Sequence, residues 1–425
     1  MKQRHHVAVV GLGFGDEGKG GIVDWLCATR PVRAVIRFNG GAQAGHNVLT
    51  EFGKHHTFSQ WGSGTLRGVP TYLSEHMIIE PFSMINEAMH LKELRLVDDP
   101  WALLHIDKSA LVATPYHRAV GRARELARGA DRHGSVGMGI GEAVSQSLSN
   151  EWCALRFHDL LGSEMVLKDR LEMQRAWAEK ELNALGWFPE PDDGIDLPDP
   201  ATIATTYSWV ASRVTPVYAK DWENLLNEEN PCIFEGAQGV LLDERYGFHP
   251  YTTWSDTTFS NALKMAGPDL YRLGVVRSYT TRHGPGPFPT EDDALMMMLR
   301  EEHNDTGKWQ GEFRVGNFDA VAHRYAIRVC GGVDSVAVTH VDRGRVASVC
   351  SSYWFENLSI GDIHPGADLV EQEKLTQGLM DVEPALTPFG PDVVGQIREE
   401  LGVSVVVKST GAAANEKWGD VPWAR

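Results

Sequence analysis

The sequence predicts an α/β fold, a large and mostly parallel central β-sheet with surrounding helices. Two observations carry that expectation: a β–loop–α–β unit at the N-terminus, and short β-branched runs that recur between helical stretches. Val7-Ala8-Val9-Val10 is apolar without alternation, as a strand covered on both faces requires. Gly11 to Gly21 is glycine-rich, Ile22 to Thr29 begins a helix, and Ala34-Val35-Ile36-Arg37-Phe38 is a second strand. Cys232-Ile233-Phe234, Leu273 to Val276, Ser335 to Val341 and Val403 to Val407 extend the sheet. Ser83 to Leu94 has Ser83 as N-cap and Met84, Ala88 and Leu91 at helical spacing, and Glu164 to Leu185 is a long helix. Gly186 to Pro200, rich in Pro and Asp, is a surface loop or hinge within a single domain that spans residues 1–425. Ser352 to Pro391 carries no usable motif.

With 425 residues, 42% of them hydrophobic, the chain can bury a substantial core. Lys plus Arg total 40 against 57 Asp plus Glu, a formal net charge of −17, which argues against nucleic acid as a partner. An anionic substrate then needs a local positive pocket. The five cysteines, Cys27, Cys153, Cys232, Cys330 and Cys350, are widely spaced and form no CxxC pair, as in a reduced, cytoplasmic protein. No apolar run approaches the roughly 18 residues of a membrane span, so no membrane association is expected.

Gly13-Phe14-Gly15-Asp16-Glu17-Gly18-Lys19 has the G-x-x-x-x-G-K frame of a phosphate loop between strand and helix. Gly20 stands where such a loop needs Ser or Thr for Mg²⁺, and the acidic pair Asp16-Glu17 would repel phosphates unless a metal or a proton-transfer role justified it. Gly13, Gly15 and Gly18 also satisfy G-x-G-x-x-G. A dinucleotide site further needs an acidic residue after the second strand, and Arg37-Phe38-Asn39-Gly40 supplies none. A dehydrogenase would bind NAD(H), and such binding is expected to be absent.

Gly15-Asp16-Glu17-Gly18-Lys19-Gly20-x-Ile22-Val23-Asp24 and Asn39-Gly40-Gly41-Ala42-Gln43-Ala44-Gly45-His46-Asn47 resemble the two N-terminal signatures of the adenylosuccinate synthetase family. The resemblance continues through Phe234-Glu235-Gly236-Ala237-Gln238-Gly239-x-Leu241-Leu242-Asp243 and through Tyr279 to Glu291. It implies a ligase that spends GTP to join L-aspartate to C6 of IMP through a 6-phosphoryl intermediate.

By that resemblance Asp16 takes the N1 proton of the base and ligates Mg²⁺, Gly45 gives a backbone carbonyl to the same metal, and His46 steadies the transferring phosphoryl as an acid. Lys19, with Gly15, Glu17, Gly18 and Gly20, is implied at the donor phosphates. Gln238, Thr253, Ser135, Val136 and Asn39 are implied at the acceptor nucleotide, and Arg282 at an anion. Asp342, Ser409 and Gly411 are implied at the donor base. A homodimer is the assembly the family implies, although Ser145 to Leu155 holds no arginine to reach a neighbouring subunit.

The departures fall on substrate contacts. The usual second lysine after the loop is Gly21, the usual Thr-Thr is Ser135-Val136, and the guanine-reading Lys-x-Asp is His340-Val341-Asp342. The family's Arg-rich aspartate loop is Asn304 to Asp319 here, where only Lys308 and Arg314 are basic. Those two are the candidates to grip aspartate or ribose. The Trp309 to Gly316 run resembles the branch of the family that uses dGMP as acceptor and can take ATP as donor. A nucleotide-binding homologue without turnover is the competing class, allowed by the altered loop.

Overall fold

The structure is a computed structural model that describes residues 6–187, 194–299 and 309–422. Ten strands form one sheet in the order Lys417–Gly419, Val405–Ser409, Ser335–Thr339, Tyr271–Arg277, Val7–Gly11, Cys232–Gly239, Ala34–Arg37, Thr71–Leu73, Leu104–Asp107, Thr215–Val217. Eight of the pairings are parallel. The one between Val405–Ser409 and Lys417–Gly419 is antiparallel. Val7–Gly11 is buried along its whole length, as its unalternating apolar run demands.

After Val7–Gly11 the chain forms helix Lys19–Thr29 and lands at Ala34–Arg37, one strand further out, because Cys232–Gly239 inserts between the two. On the other side of Val7–Gly11 lies Tyr271–Arg277. The connections leaving Val7–Gly11 and Tyr271–Arg277 therefore run to opposite sides, the arrangement in which open α/β sheets place ligands in a crevice at the carboxyl ends of the strands. One apolar core fills the face with helix Ala320–Val329, and another lies under helix Lys19–Thr29. A third gathers helices Pro81–Leu94, Pro115–Ala127, Glu164–Ala184 and Pro200–Ala211 near the Leu104–Asp107 strand. None of the described helices is long and apolar enough to cross a membrane.

Several boundaries differ from the sequence expectation. The first helix begins at Lys19, because Gly18 takes the left-handed conformation, φ 87°, and serves as its N-cap. The next is capped by Glu80 rather than Ser83: the Glu80 carboxylate accepts from the Phe82 and Ser83 N–H groups, and Pro81 fills the first helical position. Val405–Ser409 enters the sheet two residues later than expected, where its ladder to Val336 begins. Of the expected 186–200 loop, residues 188–193 lie outside the described residues; 194–199 are irregular but bury Ile195, and Pro200 already starts a helix capped by Asp199. The motif-free 352–391 stretch contributes to a four-stranded sheet with Phe318–Asp319 and includes helix Leu369–Met380.

Candidate active site

The phosphate loop runs from Gly11 into helix Lys19–Thr29, with Gly15 at φ 116°. Its acidic pair points two ways. The Glu17 carboxylate turns into the loop, where Oε1 accepts the N–H groups of Gly13 (3.0 Å) and Gly15 (2.7 Å) and Oε2 meets Lys19 Nζ at 2.9 Å. Lys19 also donates to the Gly15 carbonyl at 2.8 Å, and both side chains are buried. The Glu17 carboxylate thus takes up two N–H groups of the loop and sets its shape from within. Lys19 has one of its three N–H donors left over from these contacts. Asp16, in contrast, faces the crevice.

Gly20 lacks a side chain for a packing reason. A Cβ there would stand 2.9 Å from His46 Cβ and 3.0 Å from Ser63 Oγ. His46, at the start of strand His46–Leu49, thus takes the space where a phosphate loop carries Ser or Thr.

The His46 imidazole is held from behind. Its Nδ1 lies 2.7 Å from Oε1 of Glu235, a fully buried residue of the central strand Cys232–Gly239. Oε2 of Glu235 accepts the Ser63 N–H at 2.9 Å, and the Ser63 hydroxyl donates to Oε1. Burial opposes the Glu235 charge, yet His46, Arg37 and Ser63 prevail and hold its carboxyl at about 2. Burial, aided by the Arg37 charge and opposed by Glu235, lowers His46 to about 4. The Glu235 carboxylate thus sits against Nδ1, and His46 Nε2 is buried with no protein partner among the described residues. Glu235 carried no role in the sequence reading; the signal available was a carboxylate inside an apolar strand run, which needs a charged partner to be buried.

A cavity of about 640 Å³ opens above this pair, within the range of small-molecule sites. Asp16, Gly45, His46, Ser135, Val136, Gln238, Thr253 and Arg282 all line it, drawn from segments that lie far apart in the chain. Gln238 is strained, with φ 60°, and its Nε2 donates to Thr253 Oγ1 at 2.8 Å. Gln43, which the sequence reading passed over, lines the cavity with both amide atoms buried and, like Gln238 Oε1, without a partner among the described residues. Such orphaned polar atoms call for a polar ligand.

Asp16 Oδ2 lies 3.4 Å from His283 Nε2. Burial raises the Asp16 carboxyl against the opposing charges of His283, Arg277 and Lys19. Arg282 is a buried cation rather than a solvated loop charge: it donates to the carbonyls of Pro285 (3.1 Å) and Pro287 (2.8 Å) and lies 4.3 Å over the Phe14 ring. Burial lowers it to about 9.

The comparisons with known proteins agree with this arrangement. Residues 8–383 match the family model described as adenylosuccinate synthetase. Adenylosuccinate synthetase of Neisseria gonorrhoeae is 32% identical with 98% of each chain covered, and that of an Anaeromyxobacter species is 33% identical with 96% covered. The chain belongs to the adenylosuccinate synthetase family. Its fold is that of the fully ligated adenylosuccinate synthetase of Plasmodium falciparum, with TM-score 0.79, 22% identity, and 98% of this chain and 100% of the other covered. The same fold recurs in cyanophage S-2L succinoaminodeoxyadenylate synthetase, solved with dGMP and dATP as energy donor, with TM-score 0.63, 17% identity, and 98% of this chain and 96% of the other covered.

Within this synthetase two expected substrate contacts are placed elsewhere. Asn39 is fully buried and spends its amide on Ala237, donating to the carbonyl (3.1 Å) and accepting from the N–H (2.8 Å), which ties two strands together below the cavity. Arg314 is clamped by Glu291, with Nε to Oε1 at 2.8 Å, and by the carbonyls of Gly284 and Gly286. It sits on the hairpin strand Phe313–Gly316, opposite Arg282, and does not line the cavity. Lys308 lies outside the described residues. In the same run Trp309 packs on the Gly137 turn of the 134–141 loop, under the Arg122 guanidinium at 5.1 Å.

The donor-base candidates form a separate group. Asp342 is exposed just after strand Ser335–Thr339, and Ser409, buried, ends the neighbouring strand and donates its hydroxyl to the Gly411 carbonyl at 2.9 Å. The Val341 N–H to Ser409 carbonyl bond, 3.0 Å, joins the two segments. Gly411 is packed against Glu416, where any Cβ would collide. His340, standing for the family's lysine, is turned away from solvent onto Arg277 Nη2 at 2.7 Å, and burial holds it well below the usual histidine range.

Proposed function

We propose that this synthetase uses a nucleoside triphosphate to phosphorylate O6 of a 6-oxopurine nucleotide and then joins L-aspartate at C6, with IMP as acceptor and GTP as donor. The observation that carries the reading is the meeting, in one cavity beside a phosphate loop, of the Asp16 carboxylate, the bare His46 Nε2, the orphaned Gln43 amide and the orphaned Gln238 Oε1. Asp16 takes the N1 proton, and the electron pair released to O6 attacks the γ-phosphorus as the diphosphate leaves. The amine of aspartate then attacks C6, phosphate departs with its C–O electron pair, and the nitrogen sheds a proton. One difficult substitution becomes two easier ones.

The Asp16 raised by burial suits a base that acts near neutral pH. His46 contributes once Nε2 carries a proton, a state that the anionic phosphoryl in front and Glu235 behind both favour. Ser135, Val136 and Thr253 hold the acceptor phosphate, and Lys19 the donor's. The Asp16 carboxylate and the Gly45 carbonyl share the cavity wall as two oxygen donors, a set that fits Mg²⁺, which completes its shell with phosphate and water. When bound, Mg²⁺ offsets the charge gathered on the phosphates. Family membership further supports a cytoplasmic homodimer and a single domain, and the five cysteines, all free, fit a reducing compartment.

One observation favours a second acceptor. Arg314 is engaged by Glu291, and Trp309 covers the Gly137 turn, so the segment that carries ribose-gripping arginines in relatives is rebuilt here. An acceptor without a 2′-OH, such as dGMP, loses little from that change. The deciding assay crosses IMP and dGMP with GTP and ATP in the presence of Mg²⁺ and L-aspartate and follows succinyl-purine by mass and absorbance. Turnover with IMP supports the main reading, turnover with dGMP alone selects the second, and nucleotide binding without turnover by any pair overturns both.

A further inference from the structure

The Glu235–Ser63 pair does more than fill the core, and its geometry rests on three fixed directions. Glu235 is anchored in the central strand, Ser63 offers a backbone N–H that cannot turn away, and the His46 ring is held between them and the cavity. Oε2 is committed to the Ser63 N–H at 2.9 Å. Oε1 faces both His46 Nδ1, at 2.7 Å, and the Ser63 hydroxyl. All three residues are buried, so no water competes for these atoms.

We propose that Glu235 is a positioning residue that fixes the tautomer of His46, holding the proton on Nδ1 and keeping Nε2 as the atom presented to the transferring phosphoryl, with Ser63 locking the carboxylate in place. The inference rests on the functional reading above for what Nε2 meets, but not for the tautomer itself. Ser63 donates to both Glu235 oxygens, so Oε1 meets Nδ1 as an acceptor and Nδ1 donates; a ring with one N–H then leaves Nε2 bare. The Ser63 hydroxyl can rotate and its backbone N–H cannot, which makes the N–H the element that sets orientation.

That asymmetry predicts an inversion in Glu235→Gln. The Ser63 N–H pins the amide oxygen at the Oε2 position, because an NH₂ group there would face another donor. The NH₂ then faces Nδ1 and donates, the Ser63 hydroxyl turns to accept, and the ring proton moves to Nε2. The fold loses a charge but no hydrogen bond, whereas the ring loses the carboxylate that steadies the imidazolium formed as Nε2 meets the anionic phosphoryl. Glu235→Asp keeps the charge and so keeps the proton on Nδ1, at a longer reach.

The test is ¹⁵N NMR of the full-length protein labelled at histidine, with the His46 signals assigned by their loss in His46→Asn. Wild type is expected to show a protonated Nδ1 and bare Nε2, Glu235→Gln the reverse, and Glu235→Asp the wild-type pattern. In the assay, Glu235→Gln should lose about 10²-fold or more in kcat, with nucleotide KM unchanged, and Glu235→Asp should recover part of it. A wild-type ring protonated at Nε2, or an unshifted tautomer in folded Glu235→Gln, overturns the proposal. The wild-type spectrum alone decides it if Glu235→Gln fails to fold. Wild type that shows the Nδ1 pattern but no turnover would sink the functional reading and leave the tautomer assignment standing.

Discussion

Two adjacent glycines of the first helix separate packing from propensity at the scale of single residues. Alanine in place of a helical glycine normally gains about 1 kcal/mol. At position 20 the new methyl would stand 2.9 Å from His46 Cβ, a rigid neighbour held by Glu235, so Gly20→Ala is expected to cost about 1–3 kcal/mol net. It should also cut turnover by displacing the ring. At position 21 the nearest atom is Lys417 Cε at 3.2 Å, on a buried side chain pinned by the carbonyls of Gly411, Ala412 and Ala413, so Gly21→Ala should lose part of the propensity gain but cost less than Gly20→Ala. Thermal melts of the two variants check this, and equal Tm losses would refute the packing account. The sequence showed that Gly20 was wrong for a metal-binding phosphate loop; it could not show why, because the atom in the way belongs to His46, 26 positions further along. Glu235 stayed silent for the same reason. Its partners are 189 and 172 residues away, and only the insertion of its strand between two earlier ones brings them together.

Asp319 joins two elements. It caps helix Ala320–Val329 by accepting from the Ala322 N–H at 3.0 Å, and it takes the Tyr353 hydroxyl on both oxygens, at 2.8 and 2.7 Å, which fastens strand Ser348–Phe355. Burial raises its carboxyl to about 6, against the lowering effect of those donors. The folded state then binds a proton more readily than the unfolded chain between about pH 4 and 6. Stability from this group is therefore gained as pH falls through 6 and lost as it rises. Asp319→Asn keeps the cap and has no charge to bury, so wild type should gain on it in urea unfolding as pH drops from 7 to 5. A gap that stays constant with pH would show that Asp319 is not the titrating group. None of this region announced itself in the sequence. The first strand–loop–helix–strand unit was legible because its period and glycines are local signals, whereas Ser352 to Pro391 folds through cross-strand pairing with Ser348–Phe355 and through the cap at Asp319. The Glu80 cap was hidden as well, since a serine three residues later has the stronger capping preference.

For the whole molecule, the sheet decides how two nucleotides can be bound at once. The proposed acceptor cavity opens on one side of the phosphate loop, and the donor-base candidates Asp342, Ser409 and Gly411 cluster beyond the strand on its other side. Thr339 Oγ1 donates to the Glu17 carbonyl at 2.8 Å, so the loop is the shared wall. In the proposed reading each ligand stabilises the fold on its own, and the shared wall lets the two couple. A ligand at 100 times its Kd contributes about 2.7 kcal/mol. If Asp342 reads a guanine-type base as proposed, Asp342→Asn removes a charged acceptor, a loss of about 1.5–3 kcal/mol of binding. It should therefore weaken the Tm shift given by GTP and leave that given by IMP intact. Gln43→Ala, on the cavity wall, should do the reverse, since its amide has no partner among the described residues to lose. If either variant weakened both shifts equally, the two groups would be parts of one site, and the division of labour across the phosphate loop would be wrong.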